Sequence, residues 1–246
     1  MHINENTVEL CGIILGDGNL HRRYNRITIA GSSDDLFYFQ RRVIPLFKSC
    51  FPVVHPRIVH PKGKNAVYLE IENEDIFKFF IETFSLQRGP KYTACVPEIV
   101  ISNTSFIPSF LRGLFDTDGC LKFSKQNRTY SYYPRIRLAL VSSPIAHQIH
   151  SLIQKIGFNS NKCVRLNHGY KTMKELVTYE ISGSEALEEW MRVVNPANPV
   201  QIAKYLYWKK FGRHVPYMSF TERMLKIGPG GFEPPSMGPK PTILVH

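Results

Sequence analysis

One short pattern occurs twice in this chain, and it constrains the fold more than any other feature. Leu10-Cys-Gly-Ile-Ile-Leu-Gly-Asp-Gly18 and Leu111-Arg-Gly-Leu-Phe-Asp-Thr-Asp-Gly119 share the leucine, a glycine two residues on, and a closing Asp-Gly, at an offset of 119 − 18 = 101. Further along the offset becomes 110: Val67-Tyr-Leu-Glu-Ile71 matches Val177-Thr-Tyr-Glu-Ile181, and Ser32-Ser33 matches Ser142-Ser143. The second copy thus holds about nine extra residues near Ser124 to Tyr133, a polar stretch of the kind that accepts insertions. Self-similarity at one offset over this length implies one supersecondary unit written twice.

Both copies have the same predicted order. A small-residue helix comes first (Val8 to Leu15; Ile107 to Phe115). An alternating stretch follows (Asn25 to Ala30; Pro134 to Val141), the signature of a strand with one buried face. A helix comes next, Asp34 to Cys50 with Leu36, Phe39, Val43, Leu46 and Phe47 at helical spacing, and its counterpart is Pro144 to Ile156. Two strands follow (near Pro56 to His60 and Ala66 to Glu72; near Lys162 to Leu166 and Glu175 to Ser182). Each copy ends in a helix, Glu74 to Phe84 or Glu185 to Val194. The class is α+β, with helices covering one face of each sheet. The expected division is a first repeat over 1–90, a linker over 91–106 and a second repeat over 107–227, with a last helix within Asn195 to Gly212. A Pro/Gly-rich tail over 228–246 lacks periodicity and reads as disordered.

The chemistry follows from the helix ends. Gly12 and Gly16 are four apart and share a helix face, as do Gly113 and Thr117. Glycine costs a helix about 1 kcal/mol, so two in one turn need a reason, and close approach of two backbones supplies it. Two such helices packed through these faces bring their carboxyl ends together, and with them Asp17 and Asp118. A carboxylate at a helix C-terminus is unfavourable and two are worse, unless a cation bridges them. Mg²⁺ suits carboxylate and carbonyl oxygens and works with phosphate. The partner is suggested by charge: 31 Lys+Arg against 20 Asp+Glu give a net +11, which favours a polyanion. No apolar run approaches membrane-spanning length, and the N-terminus lacks an export signal, so the expected setting is intracellular, in cytoplasm, nucleoid or organelle. Five scattered cysteines make neither a disulfide frame nor a zinc site.

The two motifs resemble those of the double-motif LAGLIDADG homing endonucleases, and the resemblance extends over about residues 5 to 212. It implies two pseudo-symmetric αββαββα repeats packed through the motif helices, with the sheets forming a DNA-binding saddle. It also implies a monomeric, site-specific, intron-encoded double-strand endonuclease using Mg²⁺, with Mn²⁺ as the alternative. The metal-binding catalytic acids would be Asp17 and Asp118, with backbone oxygens of Gly16 and Thr117 beside them. The family's other acidic position is Leu15 in the first copy and Asp116 in the second. Family sites also hold basic residues that position water or stabilise charge, and Lys91 and Lys204, at matching places (204 − 91 = 113), are the candidates for that catalytic role.

The partner would be double-stranded DNA with a long asymmetric target. Contacts are expected from Arg22, Arg23, Asn25, Arg26, Thr28, Arg57, Lys62, Lys64 and Tyr68 in the first copy. The second copy offers Lys122, Ser124, Lys125, Gln126, Arg128, Arg135, Arg137, Arg165, Asn167 and Lys171. Arg26 and Thr28 are two apart, as are Arg135 and Arg137, so each pair should face the polar side of its strand. Two other readings share the fold: a maturase acting on intron RNA, and a regulator that binds DNA without cutting it. Retention of both aspartates argues against the regulator.

Overall fold

A computed structural model describes residues 1–124, 132–167 and 174–228, without the side chains of Asn167 and Lys174. The first repeat runs α1 (Glu5–Gly16), β1 (Gly18–Leu20), β2 (Arg26–Gly31), a helical run to Cys50, β3 (Arg57–Val59), β4 (Val67–Glu72) and α4 (Glu74–Phe84). A connection holding the short α5 (Glu98–Ser102) leads to the second repeat. This runs α6 (Ile107–Asp118), β5 (Gly119–Ser124), β6 (Tyr133–Val141), α7 (Pro144–Lys155), β7 (Asn161–Asn167), β8 (Lys174–Ser182) and α8 (Ser184–Val193). Two further helices close the described chain, α9 (Pro199–Phe211) and α10 (Phe220–Ile227).

The strands form two antiparallel four-stranded sheets with the same order, β1-β2-β4-β3 and β5-β6-β8-β7. This is the expected αββαββα repeat, taken twice. Alternation sets which face is buried. Ile27 and Ile29 of β2 oppose Ile71 and Leu69 of β4, and Ile136 and Leu138 of β6 oppose Ile181 and Tyr179 of β8. All eight are almost fully buried. Helices cover these faces with aromatic side chains: Phe47, Phe51, Phe80 and Phe84 make edge and stacked contacts in the first repeat, and Trp190 meets Phe115 and Phe158 in the second. Burying one such ring is worth about 1.5–3 kcal/mol.

Four elements differ from expectation. The helix expected over Asp34 to Cys50 is a composite of a 3-10 turn (Ser33–Asp35), α2 (Leu36–Tyr38), a π turn (Phe39–Val43) and α3 (Ile44–Cys50). Pro45 lies two residues past the π turn and has no N–H to return to residue 41, so the preceding turn widens. The strands β1 and β5 start at the motif glycines and were not expected; β1 is only three residues long, and β5 begins directly at the end of α6. The chain also makes another helix after Gly212: α10 starts with a capping box in which Ser219 and Glu222 bond each other's backbone. The tail from residue 229 lies outside the described residues.

The two repeats meet along α1 and α6, as the glycine faces predict. A Cβ on Gly12 would overlap the Phe110 carbonyl oxygen and stand 3.0 Å from the Leu114 nitrogen. One on Gly113 would overlap the Glu9 carbonyl and stand 2.8 Å from the Ile13 nitrogen. All four obstacles are backbone, so only glycine fits at this crossing distance.

Candidate active site and sheet faces

The crossing brings the motif ends together. Asp118 is the last residue of α6 and Asp17 caps the end of α1. Asp118 reaches across the crossing: a Cβ on Gly16, the residue before Asp17, would stand 3.1 Å from Asp118 Oδ2. Asp118 is half-buried and Asp17 more open. Burial pushes the Asp118 carboxyl up to about 7, with Asp17 adding to the rise and Lys91 opposing it. Burial also raises Asp17, against the pull of Lys91. Each group is therefore less willing to be charged than an ordinary carboxylate, chiefly because burial disfavours the charged form.

Lys91 stands at the same point. Its ammonium donates to the carbonyls of Ile14 (3.3 Å), Leu15 (2.9 Å) and Gly16, at the negative end of the α1 dipole. Burial lowers its pKa, while Asp118 and Asp17 hold it up. Lys204 occupies the matching place on α9, yet the groups acting on it are Cys120 and Arg223, not the two aspartates. The structure therefore gathers Asp17, Asp118 and Lys91 and leaves Lys204 apart. The Gly16 oxygen is in the site but already accepts from Lys91, and the Thr117 hydroxyl donates back to Gly113 (3.1 Å) and Leu114 (3.0 Å).

The polar sheet faces carry the expected arginines, together with acids that pair with them. Arg26 lies 3.6 Å from Glu70 and 3.2 Å from Glu72. Arg57 lies 2.8 Å from Glu70. Arg135 lies 3.0 Å from Glu180, and Arg137 donates to Thr178 at 3.4 Å. Thr28 opposes Glu70, and Tyr68 opposes Ala30 and Val59, on that same face of the first sheet. Arg22 packs against Gly89, and Asn25 accepts from Arg88 at 2.8 Å. Arg23, Lys62, Lys64, Lys122 and Arg165 are exposed, and Ser124 is half-buried with its hydroxyl unpartnered. Lys125, Gln126, Arg128 and Lys171 lie outside the described residues, as does the side chain of Asn167.

Residues 105–191, within the second repeat, match the family description "LAGLIDADG-like domain". The crystal structure of I-DmoI in complex with DNA and Mn aligns with a TM-score of 0.53 at 16% identity, over 77% of this chain and 96% of that one. Mesophilic variants of the homing endonuclease I-DmoI align with a TM-score of 0.51 at 14% identity, over 77% and 94%. An I-DmoI variant in complex with its target DNA and Mg gives 0.51 at 15% identity, over 78% and 96%. The chain has the LAGLIDADG fold. No protein of curated function matches it significantly in sequence.

Within this LAGLIDADG fold the remaining motif acid, Asp116, faces away from the carboxylate pair. It is buried and accepts from the Ala197 amide at 2.9 and 3.1 Å, and Tyr38 lies 3.5 Å away. Burial and Glu9 push its carboxyl up to about 7. Asp116 thus orders the turn into α9. Sequence reasoning also missed Glu9, which is fully buried in α1. Arg42 grips it through Nε (2.7 Å) and a second nitrogen, and Arg112 of α6 adds a bond at 2.9 Å. Arg112 in turn donates to the Val194 carbonyl at 2.8 Å. This network ties the first repeat to the second along the α1–α6 crossing, about two turns from Asp17. Its one sequence signal was an acid flanked by the apolar residues Val8 and Leu10 within a motif helix.

Proposed function

We propose that the chain is a site-specific, divalent-metal-dependent DNA endonuclease in which Asp17 and Asp118 hold the cations. The carrying observation is the reach of Asp118 across the helix crossing onto the turn that ends in Asp17. The donor set suits an oxygen-preferring ion. Among the described residues no group of three or more His, Cys, Asp or Glu side chains is gathered. Two carboxylates completed by the Gly16 and Thr117 carbonyls, water and a substrate phosphate match the sparse protein ligation that Mg²⁺ accepts, with Mn²⁺ as the alternative. The Lys91 ammonium on the Gly16 oxygen marks the spot as favouring positive charge, and a divalent ion held by the aspartates would have Lys91 beside it. A bound divalent ion would polarise a phosphodiester and acidify water.

The chain's own residues do the rest. Glycine packing fixes the distance between the acids. Lys91 offsets their repulsion and keeps a proton-bearing cation beside them. The sheet faces supply the groove contacts, with Glu70, Glu72 and Glu180 holding Arg26, Arg57 and Arg135 in set orientations from which guanine edges can be read. I-DmoI, which shares the fold, has been seen in complex with DNA and Mn. We read the target as asymmetric double-stranded DNA, the enzyme as an intron-encoded monomer, and the setting as intracellular. The test is incubation of the full chain with Mg²⁺ and DNA spanning the uninterrupted insertion site. Double-strand cuts that a chelator stops are the expected result. No cutting with either Mg²⁺ or Mn²⁺ would overturn the reading, and a wild type that instead promotes splicing of the intron RNA would favour the maturase.

A further inference from the structure

The last two helices hold cations that the carboxylate site does not use. α9 runs beside the free edge of β5. Gln201 accepts from the Leu121 amide (2.9 Å) and donates to the Gly119 carbonyl (3.4 Å), and Trp208 stacks on Phe123. α10 folds back on α9 around Ala203, Tyr207 and Ile227. Arg223 of α10 is only 5% exposed. One of its terminal nitrogens donates weakly to the Val215 carbonyl at 3.4 Å, and its Nε is buried without a partner. His214 stacks on Phe123, with ring centroids 5.3 Å apart. Lys204 is half-buried on α9 beside Cys120.

These three groups oppose one another. Burial first, then Arg223 and Lys204, disfavour a charged His214, and burial, with a smaller push from Arg223 set against Cys120, disfavours a charged Lys204. Arginine cannot shed its proton to relieve this. Among the described residues no carboxylate forms a salt bridge with any of the three. Glu222, the acid acting on Arg223, is taken by the Ser219 amide and hydroxyl at 2.8 Å each. The other titratable groups facing the cluster are Tyr207 and Cys120. A buried, unpaired cation is costly, and an anion that enters offsets the cost.

At the β5 edge the cluster spans both faces of the sheet: Cys120, beside Lys204, opposes Arg137 on the arginine face, and Phe123, under His214, alternates to the other. The first repeat has no counterpart, since the edge of β1 is closed by backbone contact of Leu20 with Arg88 and Gly89, and Lys91 turns to the α1 carbonyls. We propose that Lys204, His214 and Arg223 form a seat for one backbone phosphate of duplex DNA, on the Asp118 side only. The inference rests on the DNA reading above and adds an anchor that only the second half possesses.

The test measures binding of the full chain to a random-sequence duplex, without divalent ions, across a range of salt. Lys204→Gln and Arg223→Gln should each flatten the slope of log K against log salt, and the double variant should flatten it by about 0.9, the value of one phosphate. A fall of about 1.8 would mean two separate contacts, and unchanged slopes in folded variants would mean none; either overturns the seat while leaving the DNA reading intact. Should Arg223→Gln unfold, Lys204→Gln decides alone, through a fall of at least about 0.4. Flattening seen with RNA but not with duplex DNA would overturn it in favour of an RNA backbone. Failure of the wild type to bind duplex at all would overturn both readings.

Discussion

Replacing Gly12 by alanine tests whether the helix crossing sets the geometry of the site. The added methyl would overlap the Phe110 carbonyl oxygen, and would lie 3.0 Å from the Leu114 nitrogen and 3.2 Å from the Gly113 Cα. Each of these is main chain, so no rotamer change relieves the contact and α1 must move off α6. Overpacking of this kind costs about 1–3 kcal/mol. Alanine returns about 1 kcal/mol of helix propensity. The net expectation is a loss of about 1–2 kcal/mol, because the shift also disturbs the reciprocal contact of Gly113 with Glu9. In a chain of this size that lowers the melting temperature by about 2–8 °C. Urea unfolding of the full chain, followed by circular dichroism, gives the free energy directly. A midpoint equal to or above that of the wild type would refute the packing argument, since it is what a glycine on an open helix face would give.

Other consequences follow from the buried charges. Glu9→Gln leaves Arg42 and Arg112 without their shared anion and should cost about 3–5 kcal/mol in the same unfolding experiment; a loss below about 1 kcal/mol would show that the network is solvated. The Asp118 carboxyl is held at about 7 in the fold, against about 3.9 unfolded. A raised acid binds its proton more tightly when folded, so its contribution favours the fold at low pH and is lost as pH rises from about 4 to about 7. Metal-free Asp118→Asn should therefore exceed the wild type in stability at pH 8, on the order of 1–3 kcal/mol, with the difference vanishing near pH 4. Millimolar Mg²⁺ should narrow the gap at pH 8 by stabilising the wild type alone. A variant less stable than the wild type at pH 8 would contradict the raised carboxyl.

The repeat, the helix ends and most strands were legible because they depend on local pattern. Gly12 and Gly113 announced the crossing, and alternation placed Arg26, Thr28, Arg135 and Arg137 on the polar faces. Other features were written in the sequence and passed over. Glu70 and Glu180 recur at the 110 offset within the quoted repeat, and each binds an arginine on the neighbouring strand. Pro45 signalled the π turn, and Ser219 with Glu222 signalled α10. The divergence of Lys91 from Lys204 could not be read this way. Both follow the closing helix of their repeat, but one reaches into carbonyls across the chain and the other lies on a helix packed against α10, which only the second repeat has. The same holds for Asp116, a motif position whose partner is the backbone of Ala197, far off in sequence. Side-chain direction at an element end depends on what packs beside it, and a one-dimensional offset does not carry that.

The most direct measurement compares wild type, Asp17→Asn and Asp118→Asn for Mg²⁺-dependent double-strand cleavage of the uninterrupted insertion site, with DNA affinity measured in parallel. Both variants should lose double-strand cleavage while largely keeping affinity, because the proposal gives the cations to the carboxylates and the DNA contacts to the sheets. Unchanged cutting by either variant would contradict the assignment of Asp17 and Asp118 as a shared cation-binding pair.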